Sequence, residues 1–275
     1  LTRPANNDGT SVCGPPTLDT DDAHREPVVT TLDLSAMDAV LFDLDGVLTD
    51  TATLHAKAWK QMFDEFLERW GEAHDHPFTP FRIETDYLQY VDGKARLEGV
   101  ASFLESRRIV LPDGDPAEGP DADTIHGLAV RKNELVHSLI DREGANPFAG
   151  SIRFVEYVRE LGLRTAVVSS SRNAGPVLES AGLTHLFEDR VDGVVAAELG
   201  LPGKPAPDTF IEAARRLGTE PARAIVVEDA VVGVQAGRLG GFGLVIGVDR
   251  EGDAARLADE GADVVVDDLG ELVPD

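Results

Sequence analysis

The chain has a single cysteine, Cys13, so it can form no intrachain disulfide and offers no cluster of thiols for a metal or redox site. Cys13 lies in the polar stretch "LTRPANNDGTSVCGPP", where a thiol nucleophile is not expected; this agrees with a reducing compartment. No apolar run approaches the roughly 20 residues that cross a bilayer, and the polar N-terminal stretch lacks the apolar heart of a secretion signal. A cytoplasmic location is therefore expected. Positive charge is scarce: Lys and Arg together number 25 against 50 Asp and Glu, a formal net charge of -25. The only lysines are Lys57, Lys60, Lys94, Lys132 and Lys204. Such a surface repels nucleic acid and anionic membranes, which excludes both as partners and leaves a small molecule and a monomer as the expectation. An anionic substrate would require these few cations to be gathered at one place.

What the chain does have is ordered apolar pattern from about residue 36 onward. Residues 1–35, rich in Asn, Asp, Gly, Pro and Thr, are expected to be a disordered leader. "AVLFDLD" reads as a buried strand, and the segment from Thr53 to about Trp70 as a helix with Leu54, Ala58, Met62 and Phe66 at near-helical spacing. Further helices are predicted near Arg96 to Ser106 and Ala129 to Asp141, separated by the loop "LPDGDPAEGPDADT". From Gly150 strands such as "RTAVVSS", "AIVVED", "GLVIGV" and "DVVVDD" alternate with helical segments. The pattern predicts an α/β fold with a parallel-sheet core at 36–52 and 145–275, interrupted by an all-helical insertion at 53–144.

In open parallel sheets ligands bind beyond the carboxyl ends of the strands, and the polar residues of this chain gather there. The first strand runs out in "LFDLDGVLTD", with Asp43 and Asp45; the next in "VSSSRN", with Ser169, Ser171, Arg172 and Asn173; a later one in "VVVEDA", with Glu228 and Asp229. Lys204 stands in "LPGKPAPDTF", just before a helix. Singly, each has an ordinary structural explanation, since Asp caps helices, Ser clusters make turns and Lys sits on surfaces. Together the carboxylates form a hard-oxygen set of the kind Mg²⁺ prefers, and the hydroxyls and lysine supply what a phosphoryl group needs.

"DLDGVLTDT", "VSSSRN", "GKPAPD" and "VVVEDA", in this order and spacing, resemble the four motifs of the haloacid dehalogenase superfamily over roughly Asp38 to Asp268. The resemblance implies a Rossmann-like core with a helical cap domain. It also implies Asp43 as the nucleophile that becomes an aspartyl phosphate, Asp45 as general acid and base, Ser169 as a phosphoryl hydrogen-bond donor and Lys204 as the balancing cation. Mg²⁺ would be held by Asp43, the backbone carbonyl of Asp45, Glu228 and Asp229.

The insertion resembles the cap of the β-phosphoglucomutase-like branch. "DTATLHAKAW" is similar to its hinge and implies Thr51 and His55 at the substrate, coupling cap closure to the positioning of Asp45. "YVDGKARLEGV" is similar to its phosphate-gripping loop and implies Gly93 and Arg96, while "RKNELV" implies Lys132. In the core, Ser171, Arg172 and Asn173 are implied as substrate-binding, with Arg172 where that branch more often has lysine. The activity this implies is the interconversion of β-D-glucose 1-phosphate and D-glucose 6-phosphate through β-glucose 1,6-bisphosphate. A sugar-phosphate phosphatase acting on a hexose phosphate or trehalose 6-phosphate stays open, as does a catalytically silent binding protein. The long acidic cap loop around 109–124 could reshape the sugar pocket, and His74 and His76 read as loop residues rather than metal ligands.

Overall fold

The computed structural model describes residues 32–250 and 252–274; most of the expected leader, with Cys13, lies outside them. Leu34 is already packed among core residues, so order reaches back past the expected boundary at 36.

The centre of the fold is β1 (Ala39–Phe42), whose four residues are all fully buried. A strand covered on both faces has no polar side, which is why "AVLF" reads as an unbroken apolar run. Among the described residues β1 joins β2 (Arg164–Val168), β3 (Asp189–Val191), β4 (Ala224–Glu228), β5 (Leu244–Val248) and β6 (Val264–Val266) in one parallel sheet of order β3-β2-β1-β4-β5-β6. Val40 and Phe42 face one apolar cluster and Ala39 and Leu41 the other, as strand alternation requires. Chain direction across the sheet reverses between β1 and β4, and the crevice at that switch point is where a doubly wound sheet holds its ligand.

The helices are α1 (Thr51–His74), α2 (Arg96–Ser106), α3 (Ile125–Glu143), α4 (Ala149–Glu160), α5 (Ala174–Ser180), α6 (Gly193–Leu199), α7 (Asp208–Arg216), α8 (Val231–Leu239) and α9 (Ala254–Asp259). None of the described helices is long and apolar enough to cross a membrane. Helices α1, α2 and α3 form the all-helical cap over a separate apolar centre of Trp59, Phe63, Phe66, Phe81 and Phe103. Phe63 is the hub, with ring centroids 5.3 Å from Trp59, 5.2 Å from Phe81 and 4.1 Å from Phe103.

Three features depart from the sequence reading. Helix α1 starts two residues before Thr53 and runs on to His74, ending at Asp75 in the left-handed region. His74 is therefore helical, stacked on Trp70 at 4.5 Å, and only His76 is a loop residue. Between α1 and α2 lies a nine-residue π-helix, Ile83–Val91, whose wider turn places Tyr87 and Val91 on the buried side. The short pair β3 and α6 was also absent from the pattern: β3 has three residues, and α6 has none fully buried.

Candidate active site

The backbone of β1 ends in a hydrogen bond from Asp43 N–H to Val227 O at 2.9 Å, which seats Asp43 directly beside β4. Lys204, from the loop ahead of α7, reaches the same point. Its ammonium donates to Asp43 Oδ1 at 2.5 Å and to Glu228 Oε1, and lies 5.0 Å over the Phe210 ring. Glu228 is fully buried, and its other oxygen accepts the backbone N–H groups of Asp229 and Ala230, each at 3.1 Å. Gly46, at φ +95°, lets the chain turn so closely past Asp229 that a Cβ there would overlap its carboxylate.

Asp43, Glu228 and Asp229 each place a carboxylate oxygen within 4.8 Å of the others. Three acids thus share one lysine. Burial, with Asp45 adding to it against the pull of Lys204, pushes Asp43 up to about 6. Burial and Asp43 push Glu228 up to about 7, and burial with Asp92, Glu228 and Asp43 holds Asp229 well above the carboxylate range. For Lys204 burial works against the charge, but Asp43 and Glu228 overcome it and raise its pKa. Buried negative charge in excess of its counter-cation, presented entirely through oxygen, fits a divalent cation of the Mg²⁺ type.

Asp45 stands on the cavity side of this cluster. It accepts a hydrogen bond from Thr51 Oγ1, which is itself 2.7 Å from Thr49 Oγ1, and a longer one from Ser169 Oγ at 3.4 Å. Thr51 is fully buried behind Asp45 rather than on the cavity wall, so its reach is to Asp45 and not to a ligand. His55 Nδ1 lies 3.1 Å from Lys132 Nζ and accepts from it, so the ring proton sits on Nε2, 3.8 Å from Asp45 Oδ1. Burial, Lys132 and Arg96 hold the His55 pKa well below its usual value, so the ring is neutral, and its buried Nε2 is without a hydrogen-bond partner among the described residues. Burial raises the Asp45 pKa, favouring a carboxyl that can carry a proton.

Arg96, Lys132 and Arg172 line the same cavity of about 450 Å³ as Asp43 and Asp45. None of the three has a carboxylate within ion-pair distance among the described residues, although the chain carries a large excess of acids. Arg96, the first residue of α2, has a buried Nε without a hydrogen-bond partner; burial and the charge of Arg172 lower its pKa to about 10. Lys132 is only 4% exposed, and burial and Arg96 lower its pKa to about 7. Gly93, at φ +66°, brings its loop against Ala230 and Val232, where a side chain would collide. Ser169, Ser171 and Asn173 complete the wall near Arg172, with Ser171 N–H donating to Ser169 Oγ at 3.0 Å.

The structure therefore places on one cavity wall every site residue singled out in the sequence except Lys204, which meets Asp43 and Glu228 from within the fold, and Thr51, which lies one layer behind. It adds Trp59, Tyr87, Asp92, Pro116 and His126 to the cavity wall. Of these, Pro116 comes from the long cap loop. Trp59 had a sequence signal, as an aromatic on the same helix as His55; Tyr87 had none, because its place depends on the π-helix.

The haloacid dehalogenase-like hydrolase model matches residues 37–241. A β-phosphoglucomutase of Mycobacterium bovis is 52% identical over 238 residues, 86% of this chain and 91% of that protein. A fructose-1-phosphate phosphatase of Escherichia coli is 31% identical over 75% of this chain and 94% of its own length. The crystal structure of a β-phosphoglucomutase from Clostridium difficile superposes with a TM-score of 0.66 at 25% identity, covering 86% of this chain and 93% of that one.

Proposed function

Since the chain belongs to the haloacid dehalogenase-like hydrolase family, we propose that it is a Mg²⁺-dependent phosphotransferase interconverting β-D-glucose 1-phosphate and D-glucose 6-phosphate. The observation that carries this reading is a surplus of cations around one cavity: Lys204 bonded to Asp43, and beyond it Arg96, Arg172 and Lys132, all three on the cavity wall. A bisphosphorylated hexose has two phosphates to hold at once, whereas hydrolysis of a monophosphate needs the first pole alone. Residues 53–144 form the cap in this reading, and 36–52 with 145–275 the core.

The chemistry follows from the positions of the groups. Asp43, already phosphorylated, gives its phosphoryl group to the sugar hydroxyl while Asp45 takes the hydroxyl proton. The bisphosphate so formed turns end over end. The Asp43 carboxylate then attacks the other phosphorus, the bond between that phosphorus and the sugar oxygen breaks, and Asp45 returns the proton to the departing oxygen, which leaves as the sugar hydroxyl. Two easier transfers replace one difficult exchange. Thr51 holds Asp45 in place, the His55 Nε2–H lies 3.8 Å from its carboxylate, and Ser169 stands where it can donate to the phosphoryl group. Mg²⁺, held by Asp43, the Asp45 carbonyl, Glu228 and Asp229, would neutralise the charge on the transferring group. Meanwhile Arg96, Arg172 and Lys132 grip the idle phosphate, with Gly93, Ser171 and Asn173 shaping its pocket.

A phosphatase on the same core is the second reading, favoured by the relative that hydrolyses fructose 1-phosphate in name. Parallel product detection separates the two. The protein receives β-glucose 1-phosphate, Mg²⁺ and a trace of β-glucose 1,6-bisphosphate, and glucose 6-phosphate and free phosphate are followed together. Many glucose 6-phosphate molecules per phosphate released is the expected result; phosphate release equal to substrate loss would make the protein a phosphatase.

Lys132 gives the second pole a pH dependence. Its pKa near 7 means that the free protein loses this charge as pH rises through neutrality, while a bound anion favours the protonated form. Anion binding should therefore weaken from pH 6 to pH 9. Sulfate, which does not titrate in this range, is a suitable probe by calorimetry. Lys132→Gln should bind it more weakly at pH 6 and show a flatter profile; an unchanged profile would remove Lys132 from the anion pole.

A further inference from the structure

The loop that follows β2 is fastened to the cap at two points. Ser170 Oγ donates to Gly93 O at 2.8 Å, tying the loop to the segment that leads into Arg96. Asn173 is tied to α3: its Oδ1 accepts from His137 Nε2 at 2.9 Å, and its Nδ2 donates to Asn133 Oδ1 at 3.0 Å. Asn133 and His137 are four residues apart and so share one face of α3. Neither lines the cavity. Asn173, by contrast, is 9% exposed and does line it, so its amide is gripped from behind by two cap residues. Arg172 lies between the two fastenings.

Resting on the proposed function, we infer that Asn133 and His137 are positioning residues, a latch by which cap helix α3 orients Asn173 and thereby holds the neighbouring Arg172 at the wall of the cavity that Arg96 also lines. The amide of Asn173 has one oxygen and one nitrogen, each engaged by a different cap partner, so the two contacts together fix the plane of its side chain. If the cap opens, both partners leave together with the Gly93 carbonyl, and the loop bearing Arg172 loses its cap-side restraints. Arg96 and Arg172 line one cavity and carry like charge, so without an anion between them they repel. The hydrogen bonds hold the loop against that repulsion until an anion neutralises it. The second phosphate pole is thus assembled by closure and is not a permanent feature of the core.

The test uses the full chain with His137→Leu and Asn133→Leu, and with two variants that keep the polarity: His137→Gln retains a donor and Asn133→Asp an acceptor. His137 is exposed and Asn133 half-buried, so the cap's apolar centre is not disturbed by any of them. Amide hydrogen exchange over residues 170–174 should accelerate by about fivefold in the leucine variants, the effect of one neutral hydrogen bond on a local equilibrium. The polarity-keeping variants should exchange like the parent. Glucose 6-phosphate formed per phosphate released should fall by a similar factor in the leucine variants, with aryl phosphate hydrolysis unaltered. Unchanged exchange in both leucine variants overturns the latch, as does equal acceleration in all four. A parent protein that makes no glucose 6-phosphate would sink the mutase reading, while the exchange result would still decide the latch.

Discussion

Asp43→Asn should lower turnover by about four orders of magnitude or more, the scale of loss when a covalent nucleophile is removed. The amide keeps the size of the carboxyl and can still meet Lys204, yet its nitrogen and neutral oxygen cannot accept a phosphoryl group. The fold should survive. Burial raises the pKa of Asp43 to about 6 despite Lys204. A carboxyl whose folded pKa lies above its unfolded value binds more protons when folded, so stability is fully present at low pH and declines as pH rises toward 6. At pH 7 the ionised Asp43 is therefore a cost to the metal-free protein, and Asn removes it. The melting temperature without Mg²⁺ should be equal to the parent's or higher, and the rise on adding Mg²⁺ should shrink, because one of three carboxylates that converge within 4.8 Å is gone. Undiminished turnover would end the nucleophile assignment. A large fall in the metal-free melting temperature would show that the Lys204–Asp43 contact supports the fold more than it burdens it.

How much of this was legible beforehand depended on how local the determinants were. The strands "AVLF", "RTAVV" and "AIVVE" are buried on both faces and announce themselves as apolar runs, and their polar ends mark the ligand crevice. Asp43, Asp45, Ser169, Lys204, Glu228 and Asp229 could thus be placed together from sequence. The π-helix at Ile83–Val91 could not, because its period differs from the 3.6 residues sought in the pattern. Tyr87 and Asp92 were lost with it. Helix α6 escaped because it buries no residue fully; Asp192, which accepts from Val194 N–H and Val195 N–H at 3.0 Å each, and the left-handed Gly200 define it instead. Thr51 was assigned to the substrate and, as a hinge residue, to the positioning of Asp45; the first turn of α1 points it at Asp45, in keeping with the second role, and leaves it off the cavity wall. The contacts of Asn173 with α3 join residues 36 and 40 positions apart and had no sequence signature.

Arg96→Ala should separate the two poles of the cavity. Its guanidinium feels the charge of Arg172, has no carboxylate partner among the described residues, and carries a buried Nε without a hydrogen-bond partner among them, so the protein without ligand gains no evident stability from it. A group kept in that condition is held for an anion that arrives from outside. A bidentate, charge-assisted contact of this kind is worth about 3–4 kcal/mol when desolvated, so mutase kcat/KM should fall by about two to three orders of magnitude. Hydrolysis of para-nitrophenyl phosphate, which presents one phosphate to Asp43 and has nothing to reach the cap pole, should stay within about twofold of the parent. The ligand-free melting temperature should hold or rise, since repulsion with Arg172 is relieved. Arg96→Lys should recover only part of the loss, because an ammonium restores the charge without the two-pronged geometry. Equal loss of both activities would place Arg96 in support of the core site, and would leave the protein with one working phosphate pole, which suits a phosphatase better than a mutase. Selective loss would mean that the anion held at the cap is the one that keeps the cavity closed while the other is transferred. Water would then be kept from the aspartyl phosphate by the substrate's own second phosphate, and a monophosphate too short to reach Arg96 could be hydrolysed but never isomerised.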